Sequence, residues 1–569
     1  MNPRIHIGFV GLLLAALPVA VAAQVKPPAL DPGIQSLAAE FFAWRAATQP
    51  CTPDDIPRIE RPHGWLPDFS PEGLARRKEE YAAFRSRLNA LPRTGWSRGD
   101  SVDWLLLRSA VERVHWELGI LRLPERNPDF YLQQTLGSVF ELLVLSSPMT
   151  DAKMDEIVSR IRAIPVTLSH ARANLSEPIL PFAAMAIDNL RDIRGKLERL
   201  AEELKRVSSA KHHAAVGRAV PAAAEALEEF SRWLQSRLPG MKPAFSPGRE
   251  ACQFFLKNVA LIPMTAEEMV SLGRLELDRA TACEAMEKQR NAETPELPFF
   301  RSLEEQVRQT ERDEAGIRAF LESRDLLTVP ASIRHYTVRP IPPVVAALAS
   351  IGEEDDLTSS SRLTEDGVRY VRPPSLDLPF FPRTLAQDPR PIIIHEGVPG
   401  HYFQLALSWG HEDPIRRRYF DSGSNEGWGF YVEEMLLQAG LFDRDRPRSR
   451  GVIYRFMKLR ALRVEVDVRL ATGEMTMDRA AEYLTSTVPM ERSSAMEEAT
   501  FFASTPGQGI SYQIGKLQIQ HFLRDAWLQQ GEAFRLRAFH DYLVRNGNVP
   551  IALLRWEYLG LRDEIDKLW

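Results

Sequence analysis

Apolar residues recur at three- and four-residue steps through residues 75–91, 102–121, 154–164 and 190–207. That spacing lays one apolar stripe along a helix. Pro92, Pro124, Pro128 and Pro178 punctuate the runs as turn signals. Asp100 or Ser101 is placed to cap the second run, with Asp103 in its first turn. No fixed period repeats, so a solenoid is not expected. At residues 239–247 the composition shifts to Pro, Gly and Lys, which marks a boundary. Helical spacing resumes at 250–259 and 265–285, where Thr265 and Glu268 form a capping-box pattern. It continues through 303–323, 454–470, 510–524 and the packing helices of 533–569. Two stretches, 333–338 and 367–371, alternate instead as strands do, on either side of prolines and a polar loop at 353–361. The pattern predicts a mainly α, two-lobed protein, with an N-terminal helical lobe over 24–245 and a second lobe over 246–569. A small β-sheet belongs to the second lobe, and an edge strand there could pair with a peptide backbone. His335 and Tyr336 are candidates to line such a cleft, or simply alternate-facing strand residues.

The first residues change the picture of where the chain works. Arg4 gives a positive start, 7–21 is apolar, and Val21-Ala22-Ala23 offers small residues before Gln24. Residues 1–23 therefore read as a secretory signal. Pro18 interrupts the run, which is short against the ~20 residues of a membrane span; an uncleaved anchor is the other reading. No Cys follows the cleavage site, so no lipoprotein signal is read. The expected location is periplasmic or secreted, with no stable membrane insertion after cleavage. Net charge is −5 over 569 residues, too mild to suggest a nucleic-acid partner. Cys51, Cys252 and Cys283 allow at most one bridge, and no Cys-x-x-Cys pair supports a thiolate metal site.

The candidate chemistry sits in His395-Glu396-Gly397-Val398-Pro399-Gly400-His401. The short zinc-hydrolase motif His-Glu-x-x-His puts two imidazoles on one helix face, with the Glu as general base. Here the second His is six residues on, about 240° around a straight helix. Pro399 cannot continue the helix, and its ring clashes with the carbonyl of His395; Gly400 accepts backbone angles that others avoid. A bulge at these two residues would return His401 to the His395 face. A helix ending at a Pro-Gly turn with two surface histidines is the other reading of the same spacing. Asn425-Glu426-Gly427-Trp428-Gly429-Phe430-Tyr431-Val432-Glu433-Glu434 then opens a second helix. Glu426 is the expected third ligand, since a two-His catalytic site needs a carboxylate and leaves one position for water. Glu433, two turns on, is placed to support a ligand His, and Glu434 is expected on a solvated face.

These blocks, with Pro506-Gly507-Gln508-Gly509-Ile510-Ser511-Tyr512-Gln513-Ile514-Gly515, resemble the bacterial domain-of-unknown-function 885 family. That family is placed among the gluzincin metallopeptidases, near thimet-type oligopeptidases and Taq-type carboxypeptidases. The likeness runs over roughly 248–522. It implies a mainly helical metallopeptidase fold, one Zn²⁺ ion, and a catalytic role for Tyr512 at the developing oxyanion; apart from the likeness, Tyr512 reads as a packing residue. Such sequences often carry Arg-Tyr where this chain has Phe501-Phe502, and a His near Ala471.

The resulting expectation is an exported zinc-dependent peptidase acting on short peptides, with His395, His401 and Glu426 on the metal and Glu396 as base. A metal-dependent hydrolase of a non-peptide amide or ester, or a metal-free exported binding protein, is the alternative. Gly95-Trp96-Ser97-Arg98-Gly99 matches the Gly-x-Ser-x-Gly hydrolase pattern but lacks the buried strand that motif needs. Lys211-His212-His213 is expected in an exposed loop, His115 and His170 as structural residues, and His411 in a loop outside the site. Arg463 and Asp467 are spaced for an i,i+4 ion pair, and a buried Arg on that helix could instead grip a substrate carboxylate.

Overall fold

Helix signals written into the sequence explain most of the architecture of the computed structural model, which describes residues 31–52 and 58–568. The expected signal segment, 1–23, lies outside the described residues. Thr265 and Glu268 cap each other's backbone N–H groups at 3.1 and 2.7 Å and start the helix Ala266–Arg290. The Arg98–His115 helix begins earlier than expected: Ser97, not Asp100 or Ser101, is its cap, and Asp100 closes the box. Ser97 Oγ is thereby held 2.7 Å from Asp100 Oδ2 and is a cap, not a nucleophile. The expected loop at 211–213 is also helical, inside Ala210–Arg237. His212 is buried there, its Nε2 2.9 Å from Asp155 Oδ1, so a polar pair conceals a core position.

The chain is mainly α, with one three-stranded sheet. β1 (Tyr336–Pro340) and β3 (Gly367–Val371) run parallel, Tyr336 opposite Gly367. β2 (Asp355–Asp356) pairs antiparallel with β3, Asp355 opposite Arg369, giving the order β1-β3-β2. The first strand starts at 336 rather than 333, because Ile333 N–H turns back to the Pro330 carbonyl. The polar stretch at 353–361 contains β2. Its two aspartates are buried because Arg369 and Arg362 pair with them.

Two long helix pairs build the centre of the second half. Ala266–Arg290 lies along Ser449–Thr472, and Ser422–Gln438 lies along Gln508–Gln530. The second pair crosses backbone to backbone. A Cβ on Gly515 would fall 2.1 Å from the Gly423 carbonyl oxygen, and one on Gly427 2.6 Å from the Gly515 backbone. The largest buried apolar cluster joins residues on both sides of position 245, from Ile34 to Leu568. Cys252 and Cys283 carry free thiols. Among the described residues no helix is long and apolar enough to cross a membrane.

Candidate metal centre

The segment carrying His395 and His401 is broken, not bulged. Residues Ile393–Gly397 form a π-helical turn, Val398 is extended, the Val398–Pro399 peptide is cis, and a new helix, His401–Trp409, begins at the second histidine. Gly400 makes the fold-back possible: a Cβ there would fall 1.8 Å from the His395 carbonyl oxygen. The break puts the two imidazoles face to edge, with ring centroids 4.6 Å apart. The expected meeting of the histidines is present, reached by ending one helix and starting another.

The Ser422–Gln438 helix supplies the third group. Asp421 caps it, accepting from Ser424 N–H at 2.7 Å. Glu426 Oε2 lies 3.3 Å from His395 Nε2 and 3.2 Å from His401 Nε2. Among the described residues His395, His401 and Glu426 form the one cluster of three potential ligands, all buried, with ligand atoms within 4.8 Å of one another. Both carboxylate–imidazole separations fit a zinc ion. Donors about 2.0–2.1 Å from a tetrahedral metal stand about 3.3 Å from each other. Glu426 Oε2 is buried with both imidazole Nε2 atoms at ion-pair distance, yet neither is aligned for a hydrogen bond, so its lone pairs stay free for another group. Gly429 clears the space beside it: a Cβ there would fall 3.0 Å from His401 Cε1 and 3.1 Å from His395 Cε1.

The electrostatics point the same way. Burial pushes His395 down, but Glu426 and Glu433 outweigh it and raise the imidazole to about 9. Burial likewise opposes ionisation of Glu426, yet His401 and His395 hold its carboxyl well below the usual range. Both directions express one demand, for positive charge among these groups, which a bound cation meets more directly than a proton. Glu433 Oε1 is 2.7 Å from His395 Nδ1 and 3.1 Å from Arg460 Nη2, so the carboxylate fixes the ring from behind.

Glu396 points to the open side, its side chain 20% exposed, with Oε2 4.0 Å from His401 Nε2. Its Oε1 is 3.8 Å from Arg369 Nη1 on β3. Arg369 also pairs with Asp355, which accepts a 2.7 Å hydrogen bond from Tyr336 Oη. Tyr336 is thus a buried support beneath the site, not a cleft lining. His335 pairs with Glu314. The outward carbonyls of Glu353 and Asp355, on the free edge of β2, both accept from Arg58.

Tyr512 stands near the start of Gln508–Gln530, its ring stacked on His395 at 6.3 Å and 14°. The guanidinium of Arg463 lies 4.8 Å from its ring centre. Arg463 does not pair with Asp467. It binds Glu498, while Asp467 accepts from Gly507 and Ile510 N–H at 3.0 Å and so caps the Tyr512 helix. Glu434 is not solvated; it is buried and bound by Arg279 and Lys516 at 2.8 Å each. His411 lies in its expected loop, Nδ1 taken by Asp413 N–H, and takes no part.

The model of the family described as bacterial protein of unknown function (DUF885) matches residues 57–557, well beyond the 248–522 stretch that carries the motifs. No curated protein matches the chain. Several solved structures share the fold. One, a "putative lipoprotein of unknown function" from Shewanella oneidensis, has a TM-score of 0.71 at 16% identity, covering 93% of this chain and 99% of its own. Another, a "putative lipoprotein" from Colwellia psychrerythraea, has a TM-score of 0.74 at 15% identity, covering 95% of this chain and all of its own.

Proposed function

The chain belongs to the DUF885 family of bacterial proteins, and we propose that it is an exported zinc-dependent peptidase acting on short peptides. The observation that carries this reading is the convergence of His395, His401 and Glu426, all buried, with both imidazole Nε2 atoms within 3.3 Å of Glu426 Oε2. A zinc ion held by these three side chains supplies Lewis acidity that makes water a nucleophile near neutral pH.

The chain's own residues do the rest. Glu396, beside His401 and partly exposed, takes the proton from the attacking water and returns it to the leaving amine. Arg369 holds the Glu396 carboxylate from the sheet side, with Asp355 and Tyr336 fixing Arg369 in turn. Tyr512, stacked over His395, donates its phenolic hydrogen to the oxygen that gathers negative charge as the carbonyl is attacked. Glu433 and Arg460 keep His395 in one orientation.

The test is a digest of defined peptides by the mature protein, wild type against E396Q. The reading expects cleavage by wild type, sensitivity to chelator with recovery on adding Zn²⁺, and a loss of at least about a hundredfold in E396Q. Cleavage of N-acyl amides or esters but not peptides would point to a non-peptide hydrolase. Undiminished turnover in E396Q would remove Glu396 from the reaction.

A further inference from the structure

Gln508 faces two spaces. Its Nε2 is 3.5 Å from Glu426 Oε1, and the residue also lines a separate cavity of about 290 Å³. That cavity lies between helices from the start of the chain, Pro32–Thr48 and Arg98–His115, and the first turns of the helices that carry Glu426 and Tyr512. Phe41, Phe255 and Phe501 give it apolar, aromatic walls. Three arginines line it as well, and they are not equivalent. Arg45 is buried and bound through both carboxylate oxygens of Glu117, at 2.9 and 3.0 Å. The guanidinium groups of Arg113, half-buried, and Arg418, exposed, have neither a hydrogen bond nor an ion pair to any described residue. Asp421, the other carboxylate in the wall among the described residues, is engaged by the Ser424 N–H as a helix cap and acts on Arg113 only through space.

Arg113 is partly withdrawn from water, so a guanidinium left unpaired there beside apolar surface costs free energy that a bound anion recovers, while the exposed Arg418 adds attraction at the mouth. Guanidinium is also the side chain best matched to a carboxylate, through two parallel N–H donors. We propose that this cavity receives a carboxylate of the peptide substrate, held by Arg113 and Arg418, with the aromatic walls taking an adjoining apolar side chain. The carboxylate is either the free C-terminus or an acidic side chain close to the bond that is cut. This inference rests on the peptidase reading for its location beside the metal centre, but the binding site can be tested apart from it.

The experiment uses the full mature chain, wild type, R418Q and R113Q/R418Q. One arm compares kcat/KM for a peptide with a free C-terminus, the same peptide amidated, and an amidated peptide carrying one glutamate. The second arm measures binding of N-acetyl-phenylalanine and of its neutral amide by calorimetry. The expected result is a preference of at least about tenfold for a carboxylate-bearing peptide, collapsing toward one in the double variant. Preference for the free acid assigns the C-terminus; preference for the glutamyl amide assigns the side chain. Arg418 is exposed, so R418Q should keep the fold and show part of the collapse. Equal cleavage of all three peptides, or a preference that survives R113Q/R418Q, would overturn the proposal while leaving the peptidase reading intact. If no peptide is cut, arginine-dependent binding of N-acetyl-phenylalanine over its amide would uphold the site and sink the peptidase reading. Absence of that binding would sink the site.

Discussion

Gly429 decides whether two imidazoles can lie against one helix. With a methyl group 3.0–3.1 Å from both rings, the imidazoles would have to give by a few tenths of an ångström, and the side chains around a metal tolerate little displacement. G429A should weaken zinc binding about tenfold or more, read by competition with a chromophoric chelator; unchanged affinity would mean the rings have room to move. Arg369 offers a second test at this scale. R369M should keep zinc and lose at least about tenfold in kcat, because the carboxylate of Glu396 would no longer be held. Full activity would leave Arg369 a purely structural partner of Asp355. The residue types of the candidate site were legible in the sequence, since His-Glu, a second His and a distant Glu in a helix are a recognisable donor set. Glu433 was legible too, from its position two turns beyond Glu426. Arg369, Asp355 and Tyr336 were not, because their roles depend on the register of β1 and β2 against β3, which short strands do not announce. Glu434 was misread because a buried ion pair and a solvated carboxylate look the same in a one-dimensional pattern.

At the scale of elements, the helix that carries Tyr512 is held by a carboxylate from another helix. Burial pushes Asp467 up to about 7 from an ordinary 3.8, although the N–H groups of Gly507, Ile510 and Gly509 oppose it. The native state therefore binds this proton more tightly than the unfolded chain. The stability linked to it is highest below about pH 4 and is lost as pH rises toward about 7. Relative to D467N, wild type should lose stability between pH 5 and 7 with a slope approaching about 1.4 kcal/mol per pH unit, read from urea unfolding. Parallel pH curves for the two proteins would refute a raised Asp467. The Gly427–Gly515 crossing supplies another element-scale test. G427L places a side chain into the Gly515 backbone and should cost about 2–4 kcal/mol in the same assay, against little change if the helices can separate. Helices with strong caps were readable, as at Thr265. The Pro399 break was readable as a departure from helix, but its form was not: sequence names the residue that stops a helix, not the angle at which the next one starts.

For the whole molecule, the buried centre places two carboxylates and two imidazoles where three hydrophobic clusters otherwise provide the interior. Such a group is stabilising only when its charges are balanced. Chelation should therefore lower the unfolding temperature, and added zinc at about a hundred times its dissociation constant should restore about 2.7 kcal/mol. The same treatment should leave H401A unmoved. The mainly α architecture was legible from periodicity. The continuity of the core across position 245 was not, because composition marks a turn at 239–247 without saying that the chain packs back against itself.

The claim on which the account turns is that three side chains share a single cation while Glu396 stands free of it. Zinc per chain, measured by mass spectrometry on dialysed wild type, E396Q and H401A, tests this most directly. The account predicts about one, about one and near zero respectively. Zinc absent from wild type, or retained in H401A, would contradict it.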